Sequence, residues 1–109
     1  MPADAVVLVL TTWPAATDHA AFASALVEER LAACVNVIAG VRSIYRWQGR
    51  VCDDREDLLV IKTGADRLEA LTARLKEIHP YEVPEVLALP VEAGAQAYLD
   101  WLTAETRPA

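Results

Sequence analysis

The sequence predicts one α+β domain with the element order β-α-β-β-α-β and an extra helix at the C-terminus. The spacing of apolar residues changes along the chain between the two-residue period of strands and the 3.6-residue period of helices. A Gln48-Gly49 dipeptide separates two strand-like stretches and predicts a long hairpin. The length of 109 residues suffices for one modest hydrophobic core, so we assign residues 1–109 to a single domain.

The first strand and the first helix are predicted from the N-terminal third of the chain. Residues 6–10 are aliphatic throughout and predict a strand buried on both faces, which residues 11–14 are expected to end. Thr17 or Asp18 is a suitable N-cap for a helix that runs to about Leu31. The apolar residues of this helix fall in adjacent i, i+4 rows, as is typical of a helix packed on a sheet.

The predicted hairpin occupies the middle of the chain. An extended stretch begins at Val35, is interrupted at Gly40 and resumes through Trp47, so Gly40 is expected at a bulge or bend. After the turn, the chain returns through residues 58–61. Four arginines and four carboxylates of this region are interpreted as ion pairs across the hairpin, with anion binding as the alternative. They are Arg42, Arg46, Arg50, Arg55, Asp53, Asp54, Glu56 and Asp57.

A helix, an edge strand and a last helix are predicted from the remaining residues. Asp66 and Glu69 resemble a capping box, and residues 79–80 stop the helix that follows it. Residues 84–91 alternate between two faces and carry a proline near each end, which is typical of an edge strand. A last helix has an apolar stripe that ends at Leu102. The complete order is the ferredoxin-like arrangement of two split βαβ units.

Charge and hydropathy exclude several classes of partner. A net charge of −6 gives no general attraction to nucleic acid or to anionic lipid. The apolar run at residues 5–10 is too short to span a bilayer and lacks the flanks of a signal peptide, so it is expected to be a strand. A hydrophobic fraction of 54% is high for so small a chain and indicates self-association.

The cysteines and one histidine have simple structural interpretations. Cys34 and Cys52 are the two cysteines, and they suggest neither a disulfide framework nor an oxidising compartment, so we expect a cytoplasmic protein. Cys34 stands among apolar residues and is interpreted as a core thiol or as a soft-metal ligand. Cys52 is expected to be exposed in the hairpin, and His19 at the surface.

Three stretches carry a more specific resemblance, to the CutA family of divalent-cation tolerance proteins. They are Glu-Arg-Leu-Ala-Ala-Cys-Val-Asn at residues 29–36, Ser-Ile-Tyr-Arg-Trp-Gln-Gly at residues 43–49, and His-Pro-Tyr-Glu-Val-Pro-Glu at residues 79–85. Together with residues 61–63 and 98–101 they resemble the family in order and spacing, over roughly residues 6–102.

The resemblance implies a ferredoxin-like protomer in a tight homotrimer, with hairpins that pair across subunits. It links the protein to tolerance of copper and other divalent cations, and it implies no enzymatic reaction. We expect Tyr45 and Trp47 at the subunit interface or in a ligand cleft, because a lone strand would expose both rings. Tyr81 and Glu82 are expected to face an intersubunit cleft.

The resemblance also suggests candidate metal ligands. By this resemblance, the copper ligands of the copper-binding bacterial relatives are a cysteine at the end of the first strand and two adjacent histidines at the end of the second helix. Here these positions hold Thr11, Ile78 and His79. His79 is therefore the candidate ligand for copper or another divalent cation, together with Cys34, although a tight site takes three or four groups. The alternative for His79 is a turn residue at the end of the helix.

Two other functions remain open. One is an effector-binding or scaffold trimer like the P-II proteins, but these need a glycine-rich phosphate loop and the chain has 4 unclustered glycines. The other is an acylphosphatase-like hydrolase, but residues 12–14 do not supply its anion-binding loop. Since no Ser, Cys or His nucleophile has an evident base partner, we expect a protein without catalytic activity.

Overall fold

A four-stranded antiparallel sheet and three α-helices make up residues 5–108, the part of the chain that the computed structural model describes. Residues 1–4 and 109 of the predicted domain lie outside the described residues. The elements are β1 (Val6–Pro14), α1 (Ala20–Glu28), β2 (Cys34–Trp47), β3 (Arg50–Gly64), a 3-10 turn (Ala65–Arg67), α2 (Leu68–Ile78), β4 (Leu87–Pro90) and α3 (Gln96–Glu105). The sheet order β2-β3-β1-β4 confirms the predicted ferredoxin-like fold.

Two predicted boundaries in the N-terminal third are wrong. Strand β1 continues through residues 11–14, because these residues pair with residues 56–59 of β3. Helix α1 ends at Glu28 because Arg30 adopts a left-handed conformation with φ of 60°. The amide of Arg30 then donates to Val27 O and that of Leu31 to Leu26 O, which is the hydrogen-bond pattern of a Schellman motif.

The helix starts agree only in part with the predicted caps. At α1, Asp18 Oδ1 accepts a hydrogen bond from the Ala20 amide at 3.0 Å, whereas the Thr17 hydroxyl donates backward to Pro14 O. At α2, the predicted capping box is wrong, since a 3-10 turn that contains Asp66 leads directly into the helix. Helix α2 ends at Ile78, as predicted from the residues that follow it.

The long hairpin is confirmed together with its two irregular points. Gly40 has φ of +73° and lies where the β2–β3 register shifts, between Ile38 and Val41. At the tip, Gln48 and Gly49 have φ of 51° and 78°. Two consecutive left-handed residues form the type I′ turn whose twist matches that of paired strands.

One face of the sheet carries the main hydrophobic core. Helices α1 and α2 cover this face, and their leucines pack against alternate residues of the two central strands. The fully buried members include Val7, Val9, Leu26, Leu59, Ile61, Leu71 and Leu75. Within the described residues, none of the helices is long and apolar enough to cross a membrane.

The described part of the chain covers the opposite face of the sheet at one end only. There Leu102 of α3 packs against Val6 and Ala33 in a second, small cluster. Alternation along the paired strands places the remaining apolar residues on a surface that we call the open face. It comprises Leu8, Leu10, Ile38, Leu58, Val60, Leu87 and Leu89. In the single chain β1 is therefore buried on one face and half-buried on the other, which corrects the prediction of burial on both.

Strand β4 confirms the predicted edge strand, although it is shorter than residues 84–91. It pairs with β1 through residues 87–90. Leu87 and Leu89 stand beside Leu10 and Leu8 in this pairing, and they remain 56% and 45% exposed. The open face therefore presents a continuous apolar surface up to the edge of the sheet.

Two buried threonines generate a prediction about stability. The hydroxyl groups of Thr11 and Thr63 lie in the core without a hydrogen-bond partner among the described residues. Replacing Thr11 by Val is expected to raise the free energy of unfolding by about 1 kcal/mol, because it removes a buried polar group that makes no bond. Urea unfolding at fixed protein concentration measures this change.

Thr106 provides the matched control. It is 2% exposed, but its hydroxyl donates to Leu102 O at 3.0 Å. Thr106→Val should therefore lower the free energy of unfolding or leave it unchanged. If Thr11→Val destabilises the protein as much as Thr106→Val does, the assignment of an unbonded hydroxyl is wrong.

Candidate functional site

A cavity of about 710 Å³ lies where the hairpin leaves the core and meets the loop after α2. It is lined by residues of β1, of both hairpin strands and of this loop. They are Thr12, Ser43, Ile44, Tyr45, Trp47, Glu56, Pro80, Tyr81, Glu82, Val83 and Glu85. The cavity thus contains the four residues that the sequence assigned to a subunit interface or an intersubunit cleft, namely Tyr45, Trp47, Tyr81 and Glu82. We call this cavity the hairpin cleft.

Strand register explains why the side chains of Tyr45, Trp47 and Glu56 share one surface. In β3, residues 50–64 alternate without interruption, so Glu56 lies on the same side as the open face. The bulge at Gly40 shifts the alternation of β2 by one residue. Ser43, Tyr45 and Trp47 consequently stand on the side of Glu56, whereas without the bulge they would point to the other side.

Glu56 is the central polar residue of the cleft. It is 7% exposed, and its Oε2 accepts a hydrogen bond of 2.7 Å from the hydroxyl of Tyr81. Burial, together with this bond, raises the pKa of Tyr81 well above its ordinary value. Tyr45 donates a similar bond to Asp54, and this bond raises the pKa of Tyr45 to about 12. Both phenols therefore remain neutral hydrogen-bond donors at physiological pH.

The cleft has an acidic and aromatic character. Its walls hold three carboxylates, from Glu56, Glu82 and Glu85, and three aromatic rings. Burial, and secondarily the charge of Glu56, raise the pKa of Glu85. Among residues 5–108, those lining the cleft include no Lys, Arg or His. Sequence reasoning did not place Glu56 here, because its position depends on the register of the hairpin.

A buried hydrogen-bonded pair anchors the base of the hairpin. His19 Nε2 lies 2.6 Å from Asp57 Oδ2, and Asp57 Oδ1 accepts a bond of 3.0 Å from the Gly40 amide. His19 is 8% exposed, so the prediction that it lies at the surface is wrong. Asp57 thereby joins the start of α1 to the bulge that directs the hairpin. A histidine next to a helix start gives no signal of this contact in the sequence.

His79 is held by hydrogen bonds at both ring nitrogens. Nε2 lies 2.7 Å from Thr12 O, and Nδ1 accepts a bond of 3.0 Å from the Tyr81 amide. A carbonyl only accepts and an amide only donates, so these partners select the neutral ring with its proton on Nε2. Burial also lowers the pKa of His79. In this arrangement neither nitrogen offers a lone pair to a metal ion. His79 instead joins the loop after α2 to the backbone of β1.

Cys34 lies far from His79. Cys34 is half-buried rather than fully buried. It pairs with Lys62 of β3, and Lys62 pairs in turn with Leu8 of β1. His79 bonds to the backbone of Thr12, four residues further along β1. Four residues of strand span about 13 Å, so the two predicted ligands cannot bind one ion within a single chain.

The residues at the family's copper positions do not fit a copper or zinc site. Thr11 is fully buried in the core, and Ile78 offers no ligand atom. Among residues 5–108, no three His, Cys, Asp or Glu side chains converge as a metal site would require. The assignment of His79 and Cys34 as metal ligands stays a prediction.

Among residues 5–108, one ion pair involves an arginine of the hairpin. Arg42 binds Asp53 through two hydrogen bonds, of 2.9 and 2.6 Å. This confirms the interpretation of pairing for Arg42, whereas Asp54, Glu56 and Asp57 bind a tyrosine, a tyrosine and a histidine instead. Arg42 and Asp53 stand on the side of the hairpin away from Glu56.

The Asp57 anchor predicts how stability depends on pH. Hydrogen bonds from His19 and from the Gly40 amide lower the pKa of Asp57. The unfolded-state pKa is about 4, so the ionised carboxylate stabilises the fold fully above that pH, and this stabilisation is lost as the pH falls through the folded-state pKa. Asp57→Asn should therefore melt at a lower temperature than wild type at pH 7, and the gap should narrow toward pH 3.

Asp53→Asn is the control for this measurement. The pKa of Asp53 is also lowered, by Arg42, but its side chain is 48% exposed and water screens the pair. In thermal melts from pH 3 to 7, the melting temperature of Asp53→Asn should differ less from that of wild type than the melting temperature of Asp57→Asn does. A gap for Asp57→Asn that is equal at pH 7 and pH 3 would contradict the anchoring role of this carboxylate.

Comparisons with known proteins give a consistent result. The family model of the CutA1 divalent ion tolerance protein matches residues 7–105. The divalent-cation tolerance protein CutA of Thermus thermophilus is 52% identical over 91% of this chain and 96% of its own length. The chloroplastic CutA of Arabidopsis thaliana is 45% identical over 93% of this chain, which spans 56% of that relative.

The fold agrees with a solved structure of the same kind. The crystal structure of CutA1 from Oryza sativa superposes with a TM-score of 0.90, at 43% identity and over 96% of both chains. Sequence motifs, sheet order and these comparisons coincide, and the chain belongs to the CutA1 divalent ion tolerance family.

Proposed function

We propose that this protein acts without catalysis in tolerance of divalent cations, as a homotrimer that binds a ligand in the hairpin cleft. The observation that carries the proposal is the cleft itself, because residues of β1, the hairpin and the loop after α2 converge on a cavity of about 710 Å³. Cavities of this size are typical of small-molecule sites. The role in tolerance is supported by the family description and by the names of the relatives.

The open face supports self-association. The chain has 6769 Å² of accessible surface, whereas a compact monomer of its mass has about 6000 Å². Ile38, Leu87 and Leu89 are 45–56% exposed, and a contiguous apolar surface of this kind marks a contact site. The number of three subunits rests on the family resemblance. Pairing of hairpins would place the cleft between subunits.

Direct metal binding has less support than ligand binding in the cleft. Copper or another divalent cation at His79 and Cys34 would need the hydrogen bonds of His79 to break first. Tolerance to a cation can also arise indirectly, when a protein responds to another ligand. We therefore place the functional surface in the cleft.

The absence of catalysis and the compartment belong to the same proposal. The family description names tolerance and no reaction, which supports a protein that binds and does not transform its ligand. Cys34 and Cys52 are both free thiols, which supports a reducing compartment such as the cytoplasm. The Arabidopsis thaliana relative is named as chloroplastic, whereas the relative from Archaeoglobus fulgidus is named as periplasmic.

The assembly is tested by light scattering at micromolar concentration. Wild type should have three times the chain mass of 11.9 kDa. Leu87→Glu and Leu89→Glu should shift the protein to smaller species, because a charge on the open face is desolvated in the interface. Val27→Glu is the matched control, since Val27 is 42% exposed on α1. A monomer mass for wild type, or equal masses for all variants, would contradict the interface.

The role of the cleft is tested by growth in copper or zinc. The host strain should lack its own family member and be sensitive to the metal. Trp47→Leu should lose the tolerance that wild type restores, whereas Cys34→Ser and Trp101→Leu should keep it. Trp101 is a close control because it is 44% exposed, as is Trp47. Loss of tolerance in Cys34→Ser alone would point to metal ligation and against the cleft.

A further inference from the structure

The lining of the hairpin cleft combines two features that select for one kind of ligand. Three carboxylates, from Glu56, Glu82 and Glu85, share the cavity with the rings of Tyr45, Trp47 and Tyr81. Within residues 5–108 no basic side chain lines it. Carboxylates attract positive charge, and the faces of Trp and Tyr attract cations that shed their water easily.

We propose that the hairpin cleft binds a small organic cation, a ligand with an ammonium group on a short carbon skeleton. This inference rests on the proposed function and names the ligand class of the same site. The carbon skeleton would pack on Trp47 and the tyrosine rings, and the ammonium group would pair with Glu56.

The size and chemistry of the cleft disfavour a bare metal ion. A volume of about 710 Å³ lies in the usual range for organic ligands and far exceeds that of an ion. No three metal-ligating side chains converge within residues 5–108. The faces of aromatic rings supply no donor atoms for a copper or zinc ion, but they attract ammonium groups through the cation–π interaction.

The charges disfavour an anionic ligand. Glu56 is 7% exposed, and its charge helps to raise the pKa of Glu85, so the cleft holds carboxylates that repel each other. A bound cation would relieve this repulsion, whereas a bound anion would add to it. Arg42 stands on the side of the hairpin away from Glu56 and binds Asp53.

The hydroxyl groups in the cleft fit this assignment. The Tyr81 hydroxyl donates a hydrogen bond to Glu56, and the Tyr45 hydroxyl donates one to Asp54. Both hydroxyl groups hold neighbouring carboxylates in place, and their rings remain in the cavity wall. The polar atoms that face the ligand are therefore mainly acceptors, which match the N–H donors of an ammonium group.

The test is a titration of the full-length protein with tetramethylammonium chloride and with 1,4-diaminobutane. Sodium chloride and magnesium chloride at equal ionic strength control for screening, and sodium acetate controls for anion binding. Calorimetry gives the affinity, and tryptophan fluorescence reports the site. Trp47→Phe should lose the fluorescence change, whereas Trp101→Phe should keep it, because the two residues are equally exposed, at 44%, but Trp47 lines the cleft and Trp101 does not.

Saturable binding of at least one organic cation, weakened tenfold or more by Glu56→Gln, is the expected result. The amide keeps an acceptor for Tyr81, so the change removes charge with little change of shape. If tetramethylammonium binds more tightly than 1,4-diaminobutane, the main attraction comes from the aromatic rings. If 1,4-diaminobutane binds more tightly, it comes from the carboxylates. Either outcome supports the proposal.

Several results would overturn the inference. They are no saturable binding by a protein of trimer mass, equal effects of sodium chloride, tighter binding of acetate, or equal affinity in wild type and Glu56→Gln. These results would leave the proposed function standing if Trp47→Leu still abolished metal tolerance. The proposed function itself fails if the protein is monomeric or if tolerance does not depend on Trp47.

Discussion

Asp57 is the residue on which the arrangement of the hairpin and the site depends most directly. It lies in β3 where the strand passes from the hydrophobic core into the exposed arm, and it is 5% exposed. One carboxylate oxygen holds His19 at the start of α1, and the other holds the Gly40 amide in the bulge of β2. A buried carboxylate that loses its hydrogen-bond partners destabilises the fold strongly. The two bonds of Asp57 therefore fix the start of α1, the bulge of β2 and strand β3 relative to one another.

The cleft follows from the same junction. The bulge that Asp57 holds turns Ser43, Tyr45 and Trp47 to the side of Glu56. On the other side of the cavity, His79 bonds to the backbone of β1 and to the Tyr81 amide, and the Tyr81 hydroxyl donates a hydrogen bond to Glu56. His79 stands at a position that resembles a ligand position of copper-binding relatives. In this structure its hydrogen bonds hold the backbone of Tyr81 next to β1.

The fold was predictable from the sequence because its signals are local. Gly40 and Gln48-Gly49 mark the bulge and turn, and prolines mark the edge strand. The early end of α1 was not predictable, since Arg30 carries a conformation that glycine usually adopts. The cleft was predicted only in part. Glu56 and the pair of His19 with Asp57 depend on strand register and on contacts between residues 38 apart, and neither leaves a pattern in the sequence.

A crystal structure of the assembled protein grown with tetramethylammonium would test the central claim most directly. The account predicts three chains joined through their open faces, with the cation between Trp47 and Glu56 in each hairpin cleft, and His79 still bonded to Thr12. A cleft filled by side chains of a neighbouring subunit would contradict it, as would a cation found elsewhere or a divalent metal ion bound to His79.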